Sequence, residues 1–97
     1  MRVIAKRTLR EFWQRFHDAE EALKAWHAEA EAAAWQNPAE IKAQYGNASI
    51  IKDSRVVFNI CGNKYRLVVK INYGHAVILI RFIGTHKEYD AIDVEVV

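Results

Sequence analysis

The hydrophobic period of this chain changes once, near Ser49, and that change limits its fold more than any other feature. Before it, apolar residues recur three and four apart. Leu9, Phe12, Trp13 and Phe16 make one such stripe, and Leu23, Trp26, Ala30 and Ala33 or Ala34 make another. After it the period is two. "ASII", "RVVFNI", "KYRLVVKIN" and "HAVILIRFI" read as four strands, separated by turn signals at Lys52-Asp53-Ser54, Gly62-Asn63 and Tyr73-Gly74. Helices followed by consecutive strands imply an α+β domain, with N-terminal helices on one face of a four-stranded antiparallel meander. At 97 residues the chain is read as one domain, 1–97.

Three helix starts share one pattern. Thr8 precedes Glu11, Asp18 precedes Glu21, and Asn37 precedes Glu40, each an N-cap acceptor with an acid three positions on. Pro38 suits the first position of the third helix, and Gly46 suits its stop. Trp13, Trp26 and Trp35 are expected as core anchors, and His17 and His27 as surface or interface residues.

Two-residue hairpins at Gly62-Asn63 and Tyr73-Gly74 would set the register by counting. Phe58 would face Leu67, Ile60 Tyr65 and Val56 Val69. Across the second hairpin Leu67 would face Ile80, Val69 Ile78, Ile71 Ala76 and Tyr65 Phe82. All of these fall on one apolar face, which the helices would cover. On the other face Asn59 would oppose Arg66, Arg55 would oppose Lys70, and Arg66 would oppose Arg81, with Lys64 one step along.

Two arginines directly opposite each other repel, so an anion between them is the expected reason for the pair, and phosphate matches guanidinium geometry. The competing expectation is neutralisation by a helix carboxylate or by the acidic end: Glu88, Asp90, Asp93 and Glu95. The charge distribution supports the first. The net charge is only +2, yet residues 52–87 carry seven basic side chains and one acidic one. Such a segment suits a polyanion.

"GTHKEYD", residues 84–90, ends the strand pattern with His86 and Tyr89 three residues apart. Chain direction should bring both near the Gly62–Lys64 turn. Imidazole changes charge near neutral pH, and a phenol exchanges protons more readily beside cations. Cleavage of an RNA phosphodiester by its own 2′-hydroxyl needs a base, an acid and cationic stabilisation. His86, Tyr89, Arg66, Lys64 and Arg81 supply that set, with Asn59, Arg55, Lys70 and Lys87 as further RNA contacts. No cofactor is called for, and the histidines and Cys61 show no metal-type spacing. Cys61, the lone cysteine, is expected as a reduced thiol at or near the core, with no triad beside it. No apolar run approaches the roughly 18 residues of a membrane span, and the first residues lack a signal peptide's apolar stretch, so a cytoplasmic protein is expected.

The segments "RVVFNICGNKYRLVVKINY" and "IRFIGTHKEYD" resemble the HigB toxins of type II toxin–antitoxin modules, within the RelE/ParE-like superfamily. "GNKYRL" and "GTHKEYD" are the most specific parts. The resemblance implies a toxin that cleaves mRNA on the ribosome, with rRNA contacts that the basic residues of 2–15 would suit. It implies neutralisation by a HigA-type helix-turn-helix antitoxin, with operator DNA bound only through the complex. Lys64, Arg66, Arg81, His86 and Tyr89 match the superfamily's basic strands and C-terminal acid–base group. Two other readings stay open: a ParE-like toxin that inhibits a topoisomerase, and a non-catalytic RNA-binding module.

Overall fold

In the computed structural model, which describes residues 1–97, the chain forms four α-helices against a five-stranded sheet. In chain order the elements are β1 (Arg2–Ile4), α1 (Lys6–Arg15), α2 (Glu20–Ala32), α3 (Pro38–Gln44), β2 (Ser49–Ile51), β3 (Arg55–Ile60), β4 (Tyr65–Asn72), β5 (Val77–Thr85) and α4 (His86–Asp90). A 3-10 turn, His17–Ala19, joins α1 to α2. The sheet order is β1-β5-β4-β3-β2. The antiparallel meander is therefore as expected, but it carries a fifth strand. β1 pairs in parallel with β5, Val3 opposite Ile78. Three residues are too short a run for a period-two pattern to show in sequence. The end of α2 holds the chain's start beside it, the N-terminal ammonium donating to the Ala30, Glu31 and Ala33 carbonyls.

The helices bury their stripes as the spacing predicts. Leu9, Phe12 and Trp13 of α1 and Leu23, Trp26 and Ala30 of α2 are buried, and so is Trp35. Trp26, Trp35 and Tyr45 all pack on Phe58, with ring centroids 5.4, 6.2 and 5.1 Å away. His27 is an exception to the expectation: it is buried on α2, its Nδ1 3.4 Å from Glu31. Burial lowers its pKa below the ordinary 6.5, which outweighs the nearby Glu31 carboxylate.

Of the three expected caps, only Asn37 acts as one. Its side chain accepts from the Glu40 backbone N–H at 3.1 Å, with Pro38 at the first helical position. Thr8 lies inside α1, which begins two residues earlier. Asp18 sits in the 3-10 turn and spends its carboxylate on the sheet instead. A full capping box occurs at Thr85, where no helix start was expected. The Thr85 hydroxyl accepts from the Glu88 N–H at 3.1 Å, and the Glu88 carboxylate accepts from the Thr85 N–H at 2.8 Å. "HKEYD" is thus a short helix, α4.

The first hairpin has the expected register: Val56 opposite Val69, Phe58 opposite Leu67, Ile60 opposite Tyr65, Asn59 opposite Arg66 and Arg55 opposite Lys70. The β2–β3 turn uses positive φ at Asp53 and Ser54, as a type I′ turn requires.

The second hairpin departs from the expectation. Its loop spans four residues, Tyr73–Ala76, with Asn72 Oδ1 accepting from the His75 N–H and φ of +54° at Ala76. A two-residue I′ turn at Tyr73-Gly74 would force the tyrosine to positive φ, a costly conformation for a bulky side chain. The wider loop moves Val69 to Ile80 and Ile71 to Ile78. A bulge between Val68 and Val69 then leaves Arg81 without a partner, placing Phe82 opposite Val68, Ile83 opposite Leu67 and Gly84 opposite Arg66. The inferred Arg66–Arg81 pair does not form. The bulge also sends Ile83 to the helix-covered face, where it packs on the core.

A basic cleft between the 3-10 turn, the β3–β4 turn and α4

A cleft of about 840 Å³ opens where three segments meet. Its walls are Arg15 to Asp18 from the end of α1 and the 3-10 turn, Asn63 to Tyr65 from the β3–β4 turn, and Thr85 to Lys87 at the start of α4. One backbone hydrogen bond ties the last two walls together, from the His86 N–H to the Lys64 carbonyl at 3.3 Å. The aromatic stack beneath fixes the first wall. Phe12 and Phe16 stack at 4.7 Å, and both pack on the Tyr65 ring, at 5.1 and 5.5 Å.

Asp18 joins the turn to the sheet. One carboxylate oxygen accepts from the Tyr65 hydroxyl at 2.5 Å, and the other is ion-paired with Lys64 Nζ. The Lys64 ammonium holds the Asp18 carboxyl below its ordinary range, and the Tyr65 hydroxyl adds to this. Reciprocally, Asp18 raises the Lys64 pKa, so the lysine stays a cation. Burial raises the Tyr65 pKa, and the bond to Asp18 raises it further. Tyr65 is therefore a fixed donor and Lys64 a fixed positive charge. Cys61 lies at the same turn, half-buried, its Sγ 3.1 Å from the Asp18 carbonyl. Burial pushes the thiol upward, away from the nucleophilic thiolate.

His86 is exposed at the cleft with its Nδ1 3.0 Å from the Asp90 carboxylate, one turn along α4. That contact leaves Nε2 as the nitrogen available to a ligand.

The nine residues expected to form one site divide into groups. Lys64, His86 and Lys87 line the cleft. Arg66 stands beside it, its guanidinium donating to the carbonyls of Asn63 at 2.8 Å and Tyr65 at 3.3 Å. Asn59 braces the same turn through the Asn63 side chain at 3.3 Å. Tyr89 lies on α4 and is not part of the cleft wall. Arg55, Lys70 and Arg81 gather in a second cleft, of about 550 Å³. Arg81 is thus removed from Arg66 and Lys64 by the β5 bulge.

Sequence reasoning missed Arg15, Asp18, Tyr65 and Asp90. Asp18 was claimed by the capping pattern and Tyr65 by the core stripe, which it also serves. The His86/Asp90 pair, at i and i+4, becomes legible once Thr85-x-x-Glu88 is read as a helix start. No group of three His, Cys, Asp or Glu side chains converges anywhere in the molecule, and no helix is long and apolar enough to cross a membrane.

A small α+β domain of four helices and a five-stranded mixed sheet is compatible with a RelE-like fold. The chain belongs to the HigB toxin family, described as the RelE-like toxic component of a toxin–antitoxin system, whose model matches residues 19–92. A cognate antitoxin partner follows from that membership. A search of curated proteins found no match.

Proposed function

We propose that this toxin is a ribosome-dependent mRNA endonuclease that works through the 2′-hydroxyl of its substrate. The observation that carries the reading is the convergence of His86, Lys64, Lys87 and Arg15 on one open cleft, with Asp90 on the imidazole. The His86 Nε2 would take the proton from the 2′-hydroxyl as its oxygen bonds to phosphorus. Lys64, Lys87 and Arg15, with Arg66 beside them, would stabilise the added charge of the phosphorane. The P–O5′ bond then breaks and the 5′-oxygen takes up a proton. Lys87, an ammonium in the cleft wall, is assigned that donation, and Tyr89→Phe tests the phenol outside the wall as the other donor. The products are a 2′,3′-cyclic phosphate and a 5′-hydroxyl. Asp18 and Tyr65 act by holding the Lys64 ammonium in place.

The test is growth and mRNA 5′-end mapping after induction of the wild type beside His86→Ala, Tyr89→Phe, Lys64→Met and Arg66→Ala. Growth arrest with new ends inside translated reading frames, lost in His86→Ala and Lys64→Met, is expected. Arrest with intact mRNA would refute the nuclease reading and transfer it to a topoisomerase-type target.

A further inference from the structure

The second cleft gathers three cations, Arg55, Lys70 and Arg81. Arg55 on β3 and Lys70 on β4 are directly opposite each other, an arrangement that repels as a bare pair. Arg81, freed by the bulge, lines the same cleft, with Tyr73 and Asn72 at its rim. None of the three cations pairs with an Asp or Glu side chain, although four Lys or Arg side chains elsewhere do. Arg55 is also more than nine-tenths buried, and its Nε has no hydrogen-bond partner. A buried guanidinium is costly unless its donors are paired, and this one leaves its Nε donor free.

The last residue of the chain reaches two arginines of this cleft. A tight turn, in which the Val96 and Val97 N–H groups both donate to the Asp93 carbonyl, folds the segment back on itself. Glu95 pairs with Lys52 at 3.0 Å. The Val97 carbonyl oxygen then accepts from Arg55 Nη2 at 3.0 Å and from Arg81 Nε at 3.3 Å. One oxygen held between two guanidiniums is the arrangement a phosphate oxygen would take.

We propose that the Arg55–Lys70–Arg81 cleft is a second phosphate-binding subsite for the backbone of single-stranded RNA, and that residues 93–97 compete for it as an intramolecular strap. This deepens the nuclease reading by giving the substrate a second anchor away from the Lys64/His86 cleft. It also predicts that RNA binding releases the strap.

The test is fluorescence anisotropy with a fully 2′-O-methylated RNA octamer, which cannot undergo cleavage, titrated at several KCl concentrations. Lys70→Gln/Arg81→Gln should weaken binding at least tenfold and lower the slope of log Kd against log salt by about 1.4, two contacts on a single strand. A chain lacking residues 94–97 should bind several-fold more tightly, and Glu95→Gln should move the same way by less. Glu95→Gln keeps the strap testable if the shortened chain does not fold. Unchanged affinity and slope in the double variant would overturn the subsite. Unchanged or weaker binding on loosening the strap would overturn the competition. An acidic peptide that binds at these residues while the octamer does not would also overturn the proposal. Because the octamer reports binding alone, these outcomes are independent of whether the wild type cuts mRNA.

Discussion

Thr85→Val tests how the cleft's third wall is held. The substitution keeps the side chain's shape and removes the hydroxyl that accepts from Glu88 N–H at 3.1 Å. α4 has five residues and buries none of them, so it cannot persist on propensity or packing. Four interactions hold it: the two hydrogen bonds of the capping box, the His86–Asp90 contact at 3.0 Å and the His86 N–H to Lys64 carbonyl bond at 3.3 Å. Loss of an N-cap acceptor costs about 1 kcal/mol, which raises the open population of α4 roughly fivefold, given tenfold per 1.4 kcal/mol. The cost is confined to a local opening. Amide hydrogen exchange over residues 86–90 should therefore accelerate about fivefold, while exchange in β3 and β4 and the urea midpoint barely move. The proposed RNA cleavage should fall in step with the closed fraction of α4, because His86 leaves the cleft when α4 opens. Fully retained protection over 86–90, or a urea midpoint shifted as far as by a core truncation, would refute the reasoning: α4 would then be part of the cooperative core.

Lys64→Met should abolish the proposed cleavage with little change in urea midpoint, since its pair with Asp18 is exposed and such pairs contribute little to stability. For Asp18 the folded pKa is depressed below 3.8, so its stabilisation is present above that value and is lost as pH falls through the lower folded value. Asp18→Asn should accordingly flatten the acid limb of the stability profile below about pH 4, measured by urea unfolding. His27 also has a folded pKa below its ordinary 6.5; the protein should lose stability as pH falls from 6.5 through that lower value, and His27→Gln should remove the slope between pH 7.5 and 5.5. Leu67, fully buried beneath the helices, should cost roughly 2–5 kcal/mol on truncation to alanine, read from the urea midpoint.

Local chemistry determined what this sequence could announce by itself. A period of 3.6 giving way to a period of two specified helices followed by a meander, and the Leu9, Phe12, Trp13, Leu23 and Trp26 stripes named the faces that the fold buries. The β3–β4 register was legible because the turn and the apolar alternation on both strands agreed. The approach of His86 to Lys64 was legible because strand direction alone brings the end of β5 to the β3–β4 turn, whereas Tyr89, expected there too, lies outside the cleft wall. The rest depended on contacts between distant segments, which carry no local signature. Whether Tyr73 can take positive φ decided the length of the second hairpin. That length and the bulge it required decided whether Arg81 met Arg66 or Arg55. Asp18 has the pattern of a cap and the position of a sheet anchor. Only the packing of Phe12 and Phe16 on Tyr65 brought its carboxylate to Lys64 and decided between the two. A parallel strand three residues long, a helix too short for a stripe and a strap returning from residue 97 to residue 55 exist because the tertiary fold supplies their partners.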